Sequence, residues 1–303
     1  MLDWFTKNKK GFTSSASQEN AVLRVIGDRA SGKTTFMASL ARWPNADPSS
    51  PVQNISAINE EGNELISQAQ NILEQGLELE PSDLSTQAQD VKDYSISITL
   101  KGKFSLTALK PTGRPLVTLA ISCKDYAGEF FSDLIHLSGD LKLQDYLEDC
   151  LQASGLVFLL DGTSYRKDVE YANGLDKFLI ALDRTDIGGS KRRIALVLTK
   201  CEQPELWVRR HEPEYLASCR FPLFYQKLQS WQKMGGGSVD YFTTSAFGML
   251  GSKYPEPNSQ VLSRDRSAVR SVIKDPKRWR PFGLVAPIYW LCTGERHKEL
   301  DQD

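Results

Sequence analysis

This sequence has little net charge, no paired cysteines and no long apolar segment. Its 303 residues include 37 Lys and Arg against 38 Asp and Glu, so the net charge of −1 indicates no polyanionic partner for the chain as a whole. The five cysteines are odd in number and widely spaced, which argues for reduced thiols and against disulfides or a zinc site. The three histidines show no metal-binding spacing.

Export and membrane signals are also lacking. The longest mostly apolar run, residues 282–292, is too short to cross a bilayer, and the first residues lack the apolar core of a signal peptide. We therefore expect a cytoplasmic protein, and peripheral attachment to a membrane stays open. We expect one domain at residues 21–293, a flexible leader at 1–20 and a polar tail at 294–303.

One segment has a strong pattern: a short apolar run ends at Gly27, and Gly32-Lys33-Thr34 follows. The spacing G-x-x-x-x-G-K-T is typical of a phosphate-binding loop, in which successive backbone N–H groups face one phosphate. The helix that begins near Gly32 adds the positive end of its dipole. Lys33 can reach the β- and γ-phosphates, and the Thr34 hydroxyl can bind Mg²⁺. The predicted nucleotide-binding loop comprises Gly27, Asp28, Arg29, Ala30, Ser31, Gly32, Lys33, Thr34 and Thr35.

Apolar runs alternate with helical patterns along the rest of the chain. We predict strands at about 21–26, 94–100, 116–123, 156–161, 194–200 and 241–245, and a helix at about 55–75. This alternation favours an α/β fold of three layers, with a mainly parallel six-stranded sheet and helices on both faces. We interpret residues 50–92 as an insertion and 249–281 as a long basic loop.

Further motifs follow the predicted strands, at the edge where such a sheet binds its ligand. They are Asp125-x-x-Gly128, Thr199-Lys200-Cys201-Glu202 and Ser245-Ala246. With the phosphate loop, and in this order, they resemble the motifs of the G-protein GTPases, in the broad sense that includes Ras-like proteins and translation factors. The resemblance covers about residues 21–292 and implies a P-loop G domain.

The resemblance implies that the chain binds GTP or GDP with Mg²⁺. Thr34 would bind the ion directly, Asp125 would hold it through water, and a switch-one threonine would complete the site. Thr86 is the best placed threonine, and Thr99 and Thr112 are alternatives.

The resemblance also implies which residues read the base and which support hydrolysis. Lys200 would lie along the guanine plane, Glu202 would accept from its N–H groups, and the Ala246 N–H would donate to its carbonyl. The full base-reading set is Thr199, Lys200, Glu202, Ser245 and Ala246, and the residues of hydrolysis are Lys33, Thr86, Gly128 and Glu129.

Three residues depart from the family pattern. Glu202 replaces the usual Asp and is one methylene longer, which leaves guanine specificity in question. Arg29 either places its charge near the phosphates or is a solvated side chain. Glu129 stands where many members have a water-orienting Gln, so we expect hydrolysis to be slow without a partner.

Two other functions fit parts of the sequence. A P-loop ATPase would use Asp161, at the end of an apolar strand, for Mg²⁺, but it leaves residues 199–202 unexplained. A scaffold that holds nucleotide without turnover would fit Arg29 and Glu129.

Two segments are candidate partner surfaces. The insertion at 50–92 adjoins the predicted first switch, where a nucleotide-sensitive protein effector or regulator would bind. The basic stretch could meet an acidic partner or an anionic surface, although a solvated loop is the simpler interpretation. Its cations are Arg264, Arg266, Arg270, Lys274, Lys277, Arg278 and Arg280.

Overall fold

The computed structural model describes residues 23–46, 50–77, 92–101, 118–124, 126, 129–137, 139–185, 192–251, 256–264 and 269–301. Within these ranges the strands are β1 (Leu23–Ile26), β2 (Val52–Ala57), β3 (Asp93–Leu100), β4 (Thr118–Lys124), β5 (Gly155–Asp161), β6 (Arg192–Thr199), β7 (Gly237–Thr243), β8 (Met249–Leu250), β9 (Glu256–Pro257), β10 (Ser259–Arg264) and β11 (Val269–Ile273). The helices are α1 (Lys33–Ala46), α2 (Glu60–Gln75), α3 (Phe130–His136), α4 (Leu141–Leu151), α5 (Asp168–Asp183), α6 (Pro204–Trp207), α7 (Pro213–Arg220), α8 (Pro222–Lys233) and α9 (Ala286–Thr293).

The main sheet runs in the order β2-β3-β4-β1-β5-β6-β7. Its five strands from β4 to β7 are parallel, while β2 and β3 form an antiparallel edge. The prediction of a mainly parallel α/β sheet is confirmed. The predicted count of six strands is wrong, because β2 adds a seventh.

Alternate side chains of the central strands enter two apolar layers, as the two-residue period of a strand requires. Val157 and Leu159 of β5 belong to the cluster that contains α1, α2 and α9. Phe158 and Leu160 belong to the cluster that contains α3 to α8. The expected helices on both faces of the sheet are therefore present, in three layers.

The predicted helix at 55–75 begins too early. Residues 52–57 form the edge strand β2, and α2 begins only at Glu60. The Asn59 side chain marks this start, since its Oδ1 accepts from the Gly62 N–H at 2.8 Å as an N-cap. The segment 50–92, interpreted from sequence as an insertion, therefore contains a sheet strand as well as a helix.

The prediction that residues 249–281 form a long loop is also wrong. The described residues of this segment form two small hairpins, β8–β9 and β10–β11, and then a short 3-10 turn. Apolar residues within the segment explain why it packs on the domain: Val272, Ile273 and Trp279 are buried. The side chains of Arg264, Arg266 and Arg270 lie outside the described residues. We call residues 249–282 the appendage.

The last described residues return to the sheet. Arg296 donates to both carboxylate oxygens of Asp240, at 2.8 and 2.6 Å, and Leu300 is buried in the core. The leader at 1–20 lies outside the described residues. None of the helices in the described ranges has the length and apolarity that a membrane crossing needs.

Asp168 ties α5 to α8 and supplies a stability prediction. Its buried carboxylate accepts from the backbone N–H groups of Leu223 and Phe224, at 2.9 and 3.0 Å, in the first turn of α8. Asp168→Asn should lower the free energy of unfolding by about 1 kcal/mol, because an amide has one acceptor oxygen and no charge. Urea denaturation measures the change. Asp176→Asn, at a half-exposed side chain that pairs with Lys227, is the matched control and should stay within about 0.5 kcal/mol of wild type. Equal losses in both variants would contradict the capping role.

Candidate functional site

The predicted phosphate loop turns from β1 into the first residues of α1 with a fixed backbone. Ala30 and Gly32 have φ of 64° and 93°, and the Ser31 N–H bonds to the Asp28 carbonyl at 3.1 Å. When residues of positive φ alternate with residues of negative φ, successive N–H groups face one concavity, which can bind an anion. Gly27 is required for another reason: a Cβ there would lie 2.6 Å from the Leu159 carbonyl oxygen of β5.

Lys33 lies across this loop and is almost completely buried. Its Nζ donates to the carbonyls of Gly27 and Asp28, at 2.7 and 3.1 Å. Both acceptors are neutral carbonyls, so neither hydrogen bond takes the place that an anion would occupy. Thr34 follows in the first turn of α1, and its hydroxyl has no partner among the described residues, so it can serve a metal ion. Arg29 is exposed and likewise has no described contact.

A carboxylate pair lies beside the loop. Asp28 is buried, and its Oδ1 accepts from the Phe131 N–H at 3.2 Å. Glu129, Glu170 and Asp28 bring carboxylate oxygens within 4.8 Å of one another. The Lys167 ammonium pairs with Glu129 at 2.5 Å and lies 3.8 Å from Asp28 Oδ2. Lys167 thus offsets part of the negative charge that a metal ion would otherwise neutralise.

The pair shares its charge unequally. Burial, and then Glu129, raise the pKa of Asp28 to about 7. Burial alone would raise the pKa of Glu129 as well, but the hydrogen bond with Asp28 and the Lys167 ammonium hold it below its usual range. Asp28 Oδ2 accepts no hydrogen bond of ordinary geometry within the described residues, and the Glu129 carboxyl and the Tyr171 hydroxyl both lie near the Asp28 carboxyl. Opposite shifts of this kind are expected when two neighbouring carboxyl groups share one proton.

The predicted base-reading residues meet at the carboxyl ends of β6 and β7. The Thr199 hydroxyl donates to the Ser31 carbonyl at 2.8 Å, which joins this end of the site to the phosphate loop. Glu202 is 2% exposed and accepts from the Ser245 hydroxyl at 2.5 Å. Burial raises the pKa of Glu202, and the bond from Ser245 opposes that rise. Ser245 accepts in turn from the Gly248 N–H at 2.8 Å.

Asp161 is a site residue whose contacts the sequence did not reveal. Its Oδ2 accepts from Lys200 Nζ at 2.6 Å, and its Oδ1 accepts from the N–H and hydroxyl of Thr163 at 2.9 and 2.7 Å. Both oxygens therefore serve protein donors. The register of β5 on β6, which sets Asp161 beside Thr199, is the signal that could have indicated the contact.

Some predicted residues lie outside the described part of the chain. They are Thr86, Thr112, Asp125 and Gly128. Of the predicted magnesium ligands, only Thr34 is described. Thr99, the other candidate for the switch-one threonine, lies within β3 and pairs with Asn54 on one side and Thr118 on the other. That position is in the sheet and not in a loop.

Comparisons with known proteins add little. No protein-family model and no curated protein matches the chain. Among solved structures it is similar to one described as an ADP-ribosylation factor-like GTP-binding protein, the small COPII coat GTPase SAR1, from Encephalitozoon cuniculi in complex with GDP. The TM-score is 0.32 and the identity 13%, over 74% of this chain and 68% of the other. A similarity of this size carries no argument about function.

Proposed function

We propose that this protein is a guanine-nucleotide-binding switch that binds GTP with Mg²⁺ and hydrolyses it slowly to GDP. The observation that carries the proposal is the bond from Thr199 to the Ser31 carbonyl, together with the Glu202–Ser245 contact. These bonds bring together the predicted phosphate-binding loop and a buried carboxylate, Glu202, that could accept hydrogen bonds from a nucleobase. We take residues 21–293 as a single G domain acting in the cytoplasm.

The roles follow from the chemistry of the side chains. Lys33 and the N–H groups of residues 27–35 bind the phosphates, and Glu202 and the Ala246 N–H read guanine. Thr34 would hold Mg²⁺ with Asp125 and Thr86, and the ion would neutralise charge on the β- and γ-phosphates. Gly128 and Glu129, with Thr86, form the switches to which a protein effector binds.

The contacts of Glu129 support slow hydrolysis. Its carboxylate pairs with Lys167 and shares a proton with Asp28, so it is poorly disposed to orient a water molecule. These same contacts favour the second candidate, a nucleotide-holding scaffold without turnover. The ATPase alternative is weaker, because Lys200 and Thr163 already occupy both oxygens of Asp161.

A binding titration of GTP, GDP and ATP tests the base preference. Wild type should bind both guanine nucleotides more tightly than ATP. Glu202→Ala should reduce that preference by about tenfold or more, because one hydrogen bond to a charged group is worth about 1.5–3 kcal/mol. Glu205→Ala, an exposed glutamate three residues away, is the matched control.

The outcomes separate the candidates. Equal or tighter binding of ATP by wild type would exclude the guanine-nucleotide proposal in favour of the ATPase. Phosphate release over hours, with Lys33→Ala as the inactive control, then distinguishes a slow GTPase from a scaffold.

A further inference from the structure

The base-reading segment, residues 245–248, is held by the appendage on more than one side. Ser245 and Phe282 exchange two backbone hydrogen bonds, each of 3.1 Å. The Gly248 carbonyl accepts from the Asn258 N–H at 3.0 Å. At Gly248 the chains approach so closely that a Cβ would lie 1.8 Å from the Arg280 carbonyl oxygen, and φ is 72°. This segment therefore has little freedom while the appendage is docked.

Trp279 supplies the one side-chain bond from the described appendage to Ala246. Its indole Nε1 donates to the Ala246 carbonyl at 2.7 Å, and the residue is 1% exposed. Ser39 of α1 donates to the same oxygen at 3.3 Å. Two donors on one carbonyl fix the orientation of the peptide that follows Ala246, the residue whose N–H is predicted to read the base.

A contiguous chain of contacts joins Trp279 to α2. The Arg42 guanidinium of α1 lies 5.9 Å from the centre of the Trp279 ring, within the range of a cation–π contact. Arg42 also pairs with Glu74 of α2 at 2.5 Å. The hairpin β10–β11 packs at the C-terminal end of the same helix, since a Cβ on Gly76, the residue after α2, would lie 2.7 Å from Leu262. The helix α2 belongs to the insertion beside the predicted first switch.

We infer that Trp279 is a positioning residue that holds the base-reading segment closed and sets how long the protein retains its nucleotide. The inference rests on the proposed function and deepens it. The appendage is then a regulatory element: displacing α2 or the β10–β11 hairpin would loosen the indole and release the nucleotide faster. Nucleotide would be retained through a contact that involves neither the phosphates nor the base.

The test uses Trp279→Phe in the full chain, which keeps an aromatic ring for Arg42 but removes the indole N–H and some buried ring volume. Dissociation of a fluorescent GDP analogue, chased with excess GDP, should accelerate about five- to tenfold. Association should hardly change, because the phosphate loop is intact. Trp231→Phe is the matched control: it is 2% exposed, on the opposite face of the sheet, and its Nε1 donates to Asp183 at 2.7 Å.

The control should lower the melting temperature and leave dissociation at the wild-type rate. Unchanged dissociation from Trp279→Phe, in a wild type that binds GDP, would overturn the inference and leave the proposed function standing. Equal acceleration in both variants would also overturn it, because the effect would then follow general stability. A wild type that binds no guanine nucleotide would exclude the proposed function and the inference with it.

Discussion

Replacing Lys33 with alanine should weaken GTP binding by on the order of a hundredfold or more, and GDP binding by about tenfold or more. The Lys33 ammonium lies over the predicted phosphate loop and donates to the Gly27 and Asp28 carbonyls, at 2.7 and 3.1 Å. Contacts to a β- and a γ-phosphate would each be worth about 1.5–3 kcal/mol, so losing both corresponds to at least about a hundredfold in the Kd for GTP. GDP has only the β-phosphate and should lose one contact, about tenfold or more. Titration with fluorescent GDP and GTP analogues measures the loss.

Two controls show whether the loss is local. Lys227→Ala removes another lysine that is paired, here with Asp176, and should leave both affinities unchanged. Thermal unfolding without nucleotide shows whether the loop variant is still folded. A folded Lys33→Ala that binds as tightly as wild type would mean that the phosphates bind elsewhere, and the proposed site would be wrong.

The features that sequence could predict depend on short segments. A phosphate-type loop needs only its glycines and Lys33 at fixed spacing, and buried parallel strands such as β5 are continuous apolar runs. Because the carboxyl ends of parallel strands meet at one edge, the order of motifs also predicts that residues 199–202 and 245–246 lie together. The structure brings Glu202 and Ser245 into contact, at 2.5 Å.

The errors have local physical causes. The apolar residues Ile55 and Ile58 fit a helical period when taken with α2, which concealed the edge strand β2. Asn59, followed by Glu60 and Glu61, was the available signal for a later helix start. The charges of the segment 249–281 concealed two hairpins that are anchored by a few apolar residues such as Trp279.

Other contacts could not be found from sequence because they join distant residues. Trp279 reaches Ala246 across 33 positions, and Lys200 reaches Asp161 across 39. Nothing near either residue in sequence specifies its partner. The Asp28–Glu129 pair is of the same kind, since it depends on how α3 packs on the phosphate loop. Such polar pairs join residues far apart in sequence, so only the structure reveals them.

Asp28→Asn should make the protein more stable than wild type at higher pH. The folded-state pKa of Asp28, about 7, lies above its usual value of 3.8. A raised pKa contributes stability that is full below the unfolded value and is lost as the pH rises through about 7. Asparagine stays neutral, keeps an acceptor for the Phe131 N–H, and can donate to Glu129. It therefore avoids the buried, ionised carboxylate of the wild type.

Between about pH 5.5 and about pH 8, the free energy of unfolding of Asp28→Asn should gain about 2 kcal/mol on wild type, since each pKa unit corresponds to about 1.4 kcal/mol. Urea denaturation without nucleotide measures both profiles. Glu129 does not disturb this window, because its lowered pKa gives stability that is lost only as the pH falls below its usual value of 4.5.

Glu129→Gln separates the two causes of the shift. The variant removes the neighbouring negative charge and can donate an amide N–H to Asp28, so the pKa of Asp28 should fall while its burial persists. The pH dependence of stability should then move to lower pH and not disappear. Parallel profiles for wild type and Asp28→Asn would contradict the shared proton. They would mean that Lys167, 3.8 Å away, already neutralises Asp28 across the range.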